Sequence, residues 1–314
     1  MRAAFSDAIV AMASADPRVL LLTGDHGYAL FDAFRKARPR QYINCGIAEQ
    51  NMVGVAAGLA RAGYRPIVYG LAAFVPTRVV EQIKIDVCYE TLPVLFVGDG
   101  AGFVYSHLGA SHQSTEDIAC TRSIPNLSVY SPADRFELAA CMRAARDAAG
   151  PVYLRMGKSD RGDVHSGAVS IGPGALLPVH DGEAGRNGVA PIAFIATGSL
   201  VRTAVELAAG AFPTAFVWSA PSIKPIDTEA VAAICRGHSA VVVLEEHSTS
   251  GGLGSVVAEI ASERAPVRLL RVGVRDRFSE FCGSYEYLLR EHGLDRQAIE
   301  TRISDFVALA AQCP

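Results

Sequence analysis

Along the chain, short unbroken apolar runs alternate with longer stretches in which apolar residues recur every three or four positions. Residues 3–15 place Phe5, Ile9 and Met12 on one stripe, which predicts an amphipathic helix ending before Pro17. A buried strand over 19–23 leads into G-D-H-G at 24–27, and the mixed, basic stretch 28–40 reads as helix and loop. A strand over 42–45 precedes a helix through the small, apolar run V-G-V-A-A-G-L-A-R-A at 53–62. Strands follow at 65–70 and 93–97, with a helix through residue 86 between them. Pro132 and Asp134 open a helix to about residue 149, Gly150-Pro151 breaks it, and 152–156 is a strand. Residues 159–190 are rich in Gly, Asp and Ser with little periodicity, the composition of a linker. A second unit then reads strand 192–196, helix 201–209, strand 214–217, helix 228–235 and strand 240–245. Such alternation predicts an α/β fold of two consecutive domains, each a mostly parallel sheet flanked by helices. Their expected bounds are 1–160 and 191–314, joined by a linker over 161–190.

The bulk numbers fit that picture. At 314 residues, 50% hydrophobic and 19% charged, the chain is long and apolar enough for two packed cores. This apolar content also suggests hydrophobic surface reserved for association. A net charge of −3 offers no polyelectrolyte attraction to nucleic acid or an anionic membrane. The seven cysteines (45, 88, 120, 141, 235, 282 and 313) are scattered without a C-x-x-C pair. That pattern argues for a reducing compartment and against a disulfide frame or structural zinc. The N-terminus lacks a long apolar segment and no apolar run reaches membrane length, so a soluble, cytoplasmic protein is expected.

Candidate chemistry concentrates in Q-Y-I-N-C-G-I-A-E-Q-N-M at 41–52, where Glu49 is the only ionisable carboxylate. A carboxyl group losing water at the mouth of an apolar helix either raises its pKa or finds a hydrogen-bond partner. A first-turn glutamate favoured by the helix dipole is the bland alternative. Against it, Gly54, Ala57 and Gly58 allow a backbone or flat ligand to approach, and Gly46 relaxes the chain just before. Phe74 falls just past a strand end, where open α/β sheets place their ligands, although core packing explains most phenylalanines. Asp25 alone would be a turn residue, and Arg78 alone a surface ion-pair partner. His107 and His112 lie within six residues of each other in a Gly-rich loop beyond another strand end.

G-I-A-E-Q-N-M, with T-G-D at 23–25 and S-H-Q-S-T-E-D at 111–117, resembles the transketolase family of thiamine-diphosphate enzymes. More narrowly, the chain resembles the C-terminal half of transketolase where the enzyme is split into two polypeptides. The likeness runs in ordered blocks from about residue 5 to residue 259. It implies that Glu49, kept protonated by an apolar site, hydrogen-bonds N1′ of the cofactor's aminopyrimidine. The imino tautomer so favoured lets N4′ take the C2 proton of the thiazolium. The resemblance also implies that Phe74 stacks on the aminopyrimidine, that Asp25 and Arg78 lie near the cofactor, and that His112 faces the thiazolium and the sugar. Arg155 is the counterpart of an arginine that takes the sugar phosphate, with Arg2 as a second. His107 has no clear counterpart and is carried as a substrate-side candidate. The loop around Asp99, Gly100, His107 and Leu108 departs from long transketolases, which leaves the acceptor sugar open.

G-D-G at 98–100 with Asn126 mimics the spacing of a Mg²⁺–diphosphate motif. It is rejected here, because the residues after Gly100 resemble the pyrimidine-domain loop and Asn126 lies in I-P-N-L-S-V-Y-S-P, read as that domain's later strand. The block E-E-H-S-T-S-G-G-L-G at 245–254 is expected to be structural and interfacial, and no metal ligand is assigned to this chain. A full thiamine enzyme also needs a diphosphate-binding domain. The resemblance therefore implies a partner, the N-terminal transketolase subunit, which supplies that domain and the Mg²⁺ ligands in an α₂β₂ assembly. The expected reaction moves a two-carbon ketol unit from a ketose or ketose phosphate to an aldose. The alternatives are the β chain of a 2-oxoacid dehydrogenase E1 component and a non-catalytic homologue.

Overall fold

The computed structural model describes residues 1–158, 160–183 and 191–310, so residues 184–190 of the expected linker and Cys313 lie outside it. The strands are β1 (Val19–Thr23), β2 (Tyr42–Asn44), β3 (Arg65–Leu71), β4 (Leu95–Asp99), β5 (Ser128–Tyr130), β6 (Val152–Met156), β7 (Leu177–His180), β8 (Ile192–Ala196), β9 (Ala215–Ser219), β10 (Ser222–Lys224), β11 (Ala240–Ser248) and β12 (Arg268–Val274). The helices are α1 (Arg2–Ala15), α2 (Asp32–Ala37), α3 (Glu49–Arg61), α4 (Val80–Gln82), α5 (Asp117–Arg122), α6 (Arg135–Asp147), α7 (Leu200–Ala209), α8 (Thr228–Gly237), α9 (Leu253–Arg264), α10 (Tyr285–Glu291) and α11 (Arg296–Ala310).

The first sheet runs β10-β5-β6-β4-β3-β1-β2, parallel except for β10. The second runs β12-β11-β8-β9-β7, parallel except for β7. Every residue of β1, β4 and β6 is buried, as expected of strands covered on both faces. Leu20 and Leu22 join one core cluster while Val19 and Leu21 join another, the period-two alternation of a sheet with two packed sides. The first of these clusters also holds Ala193, Val241 and Leu253, so the two halves share a continuous apolar core.

Three differences from the sequence expectation bear on the sheets and on the region after Phe74. The expected linker contributes β7, which closes the edge of the second sheet. Strand β10, from the second half, pairs with β5 of the first sheet. The single helix expected after Phe74 is instead a 3₁₀ turn (Thr77–Val79), α4 and a π-helical turn (Ile83–Cys88). Elsewhere the local chemistry follows the residues. Asp134 caps α6, accepting from the Phe136 and Glu137 amides, each at 2.9 Å.

Candidate active site

The candidate residues gather at the carboxyl ends of the strands of the first sheet. Chain order steps from β1 outward to β2, then back across β1 to β3, so the order reverses here. Open parallel sheets bind ligands at such a reversal. Asp25 and His26 follow β1, Glu49 opens α3 after β2, Phe74 follows β3, and the loop carrying His107 and His112 follows β4.

Glu49 is the first residue of α3, with only 2% of its surface exposed, and Ala48 before it gives no side-chain cap. Gly46, with φ at +70°, turns the chain from β2 into the helix. One carboxylate oxygen, Oε2, accepts from Arg78 Nη1 at 3.1 Å. The other, Oε1, is buried without a hydrogen-bond partner, and so is His26 Nε2, 3.9 Å away. Two orphaned polar atoms facing one another at a strand-end cleft are what a site for a polar ring would leave. Burial lowers the His26 pKa, opposed by Glu49 and Asp25, which favours the neutral ring.

Phe74 makes an edge contact with His112 at 5.3 Å between centroids and a tilted contact with His26 at 6.2 Å. The Arg78 guanidinium lies over the Phe74 ring, 4.1 Å from its centroid. Glu49, His26, Phe74, Arg78 and His112 thus form one cluster. Arg78 departs from the sequence expectation, which gave Glu49 an apolar wall, because the dehydrated carboxylate is answered by a guanidinium.

The other expected site residues are placed variously. Asp25 is exposed at φ +61° and accepts from the Asn44 side chain at 3.1 Å, a turn tied to the end of β2. Arg2 reaches Asp99 at 3.2 Å, and both Tyr69 and Tyr105 donate to the same Asp99 oxygen, at 2.7 and 3.0 Å. Burial, then Asp99, raises the pKa of both phenols, so they remain O–H donors. Arg2, Asp25, His26 and Tyr105 line an open cleft of about 650 Å³. His107 is exposed in a 3₁₀ turn, without a hydrogen bond or ring contact among the described residues.

Arg155 requires a correction. Expected to take the sugar phosphate, its side chain is 2% exposed and paired with Asp117, whose side chain is fully buried, at 2.9 Å. It also donates to the Glu246 carbonyl at 2.7 Å, from one half of the chain to the other. A guanidinium committed to these acceptors beneath the surface holds the halves together and is not available to a phosphate.

Asn126 stands far from Asp99. Strand β5 begins at Ser128 level with Val152 and Leu95, whereas Asp99 is level with Met156, so the two lie at opposite ends of the sheet. Asn126 donates to the Cys88 carbonyl at 3.1 Å. Among the described residues, no three His, Cys, Asp or Glu side chains converge as a metal site. Neither His26 nor the Asp99 cluster stands out in the sequence. The G-D-H-G turn directly after a strand is the available signal for His26.

Residues 1–162 match the family model of the transketolase pyrimidine binding domain, and residues 188–299 that of the transketolase C-terminal domain. The chain belongs to the transketolase family. It is 35% identical over 305 residues to the 6-deoxy-6-sulfo-D-fructose transketolase subunit SqwH of Clostridium sp. (strain MSTE9), covering 95% of this chain and 92% of that one. It is 34% identical over 271 residues to a subunit of the apulose-4-phosphate transketolase of Actinobacillus succinogenes, covering 85% of each. A solved structure described as a split gene transketolase, inactive beta4 tetramer, superimposes with a TM-score of 0.86 at 35% identity and 98% coverage of both chains. Within the transketolase fold, the Glu49 cluster belongs to the pyrimidine-binding half.

Proposed function

We propose that this chain is the C-terminal subunit of a two-chain transketolase, moving a two-carbon ketol unit from a ketose or ketose phosphate to an aldose. The observation that carries the reading is Glu49, buried and pinned by Arg78 through one oxygen while the other faces the Phe74–His26–His112 cluster without a partner. The orphaned Oε1 and His26 Nε2 fit the polar edge of an aminopyrimidine, and Phe74 offers an aromatic surface for its face. When bound, thiamine diphosphate supplies the nucleophilic carbon and the electron sink. Glu49 orients the ring nitrogen and holds a proton there, and Arg78 fixes the carboxylate. His112, on the loop across Phe74, moves a proton at the sugar oxygen or polarises it. The burial of Glu49, only 2% exposed, keeps bulk water from that exchange.

The second half of the reading is a partner. We assign the diphosphate and Mg²⁺ sites to an N-terminal subunit, in an α₂β₂ assembly. Along α3 and the helical turn beside it, large apolar side chains stand in water, from Ile47 (76% exposed) next to Glu49 to Tyr89 (83%) at the far end, with Val55 and Ile85 also exposed between them; Tyr28, 72% exposed, lines the cleft after β1. Ile47 precedes α3 and Val55 lies midway along it, and α3 packs against the π-helical turn that carries Ile85 and ends at Tyr89. Gly54 and Gly58 on α3 face open space. An apolar face of this kind beside a functional cleft marks a protein interface.

The test is reconstitution with the N-terminal subunit, thiamine diphosphate and Mg²⁺, assayed against a panel of ketose donors and, separately, pyruvate. Ketol transfer only in the mixture supports the reading. Full turnover by this chain alone, or decarboxylation of pyruvate in place of ketol transfer, would sink it.

A further inference from the structure

His112 itself is lightly held. Its ring meets Ser111 Oγ at 3.0 Å and the edge of Phe74, and its amide donates to the Gly109 carbonyl at 3.0 Å. The position of the ring is therefore set by the backbone on either side. On the N-terminal side the loop turns through Gly109 at φ +76°. On the C-terminal side it is anchored at once: Ser114 exchanges backbone hydrogen bonds with Gly102 at 2.7 and 3.0 Å.

Those anchors in turn rest on the C-terminal domain. The Phe103 amide donates to Glu246 Oε1 at 2.7 Å, and a Cβ on Gly102 would stand 2.2 Å from that same oxygen. Glu246 also accepts from the Ser199 and Tyr285 hydroxyls. The Ser248 amide donates to the Thr115 carbonyl at 2.6 Å.

Next to His112, the Gln113 side chain is 7% exposed and accepts from Ser279 Oγ at 2.7 Å, 166 residues further along the chain. Ser279 Oγ is also 2.9 Å from His292 Nε2, and the His292 ring stacks on Phe103 at 4.7 Å. Because the serine has one proton and gives it to Gln113, His292 must donate to it, which requires a proton on Nε2. Burial, then Arg277, lowers the His292 pKa against Glu291, in keeping with a neutral imidazole. Phe103, Gln113, Ser279 and His292 close around a cavity of about 30 Å³, with little room for the loop to shift without breaking the chain.

We propose that Ser279, Gln113 and His292 form a cross-domain relay that positions His112, so that the C-terminal domain holds the substrate-facing loop in register. The inference rests on His112 acting as the functional reading requires, but its test reads the imidazole and not turnover. Losing the Ser279 hydroxyl leaves Gln113 Oε1 and His292 Nε2–H without their shared partner while removing almost no packing volume.

The chain would be labelled with ¹⁵N-histidine and its ring nitrogens observed by NMR, with His112 assigned from a His112→Gln variant. Ser279→Ala and His292→Phe, the latter retaining a ring against Phe103, should both displace the His112 signals. Ser279→Thr, which keeps the hydroxyl, should restore them. The signals of His165 and His238, remote from the loop, should stay as in the parent chain. Unmoved His112 signals in both Ser279→Ala and His292→Phe would overturn the proposal. So would movement of His112 only together with His165 and His238, since that is general loosening. Absence of ketol transfer in the reconstituted enzyme would count against the functional reading and leave this result standing.

Discussion

Glu49 and Arg155 are both buried ionisable residues, and their surroundings give them opposite roles. Arg155 has all its partners inside the protein: Asp117, the Ser114 carbonyl and the Glu246 carbonyl. Tyr153 donates to the same Asp117 at 2.7 Å. Glu49 has one oxygen satisfied and one left over. A closed network stabilises the fold, whereas a buried atom with unused hydrogen-bonding capacity points to a ligand. Replacing Arg155 by Met strands Asp117 in the interior and should cost about 3–5 kcal/mol of stability. Urea unfolding of Arg155→Met would measure that loss, and adding Asp117→Asn should recover part of it. An Arg155→Met chain as stable as its parent, but with a raised KM for phosphorylated sugars, would return Arg155 to the phosphate role.

At the scale of elements, the carboxyl end of β11, just before the turn into α9, carries the titration behaviour of the domain junction. His247 Nε2 accepts from the Ala119 amide at 3.2 Å, and Nδ1 is 2.7 Å from the Ser248 carbonyl, which fits one neutral tautomer. Burial pushes its pKa down to about 4, so between about 4 and 6.5 the unfolded chain binds the proton more tightly. This contribution to stability is present in full above the unfolded value and is lost as pH falls through the folded one, by about 3 kcal/mol in all. Glu245 has the reverse sign. Burial, opposed by the Leu253 and Gly254 amides, raises it to about 7, so its contribution is lost as pH rises from 4.5 through 7. Unfolding of Glu245→Gln across that range should show a steeper rise of stability with pH than the parent, and NMR should find His247 neutral at pH 5.5. An identical pH slope in both chains would contradict the assignment.

Much of the element plan was legible because parallel strands buried on both faces read as unbroken apolar runs, as in V-L-L-L-T and I-A-F-I-A. Phe74 was legible for a related reason, since a residue just past such a run lies at the carboxyl end of a sheet, whereas Glu49 follows the half-exposed β2 and was legible as the one carboxylate before a small, apolar helix. What escaped was non-local. The partner of Arg155 lies 38 residues away on another element, and Ser279 lies 166 residues from Gln113. The edge strands L-P-V-H and S-I-K are too short to show a period, and nothing in three or four residues says which sheet they join.

For the whole molecule, the exposed apolar face around α3 and the incomplete cofactor site make one claim, that this chain works as half of an enzyme. Charging that face with Ile47→Asp and Tyr89→Asp should abolish co-elution with the N-terminal subunit on size exclusion while leaving the unfolding temperature unchanged. Retained co-elution would place the interface elsewhere. The most direct measurement is exchange of the cofactor's C2 proton for deuterium in the reconstituted complex, comparing the parent chain with Glu49→Ala while thiamine diphosphate stays bound in both. Loss of the buried carboxyl should slow exchange by at least about a hundredfold. Exchange at the parent rate in Glu49→Ala would contradict the account.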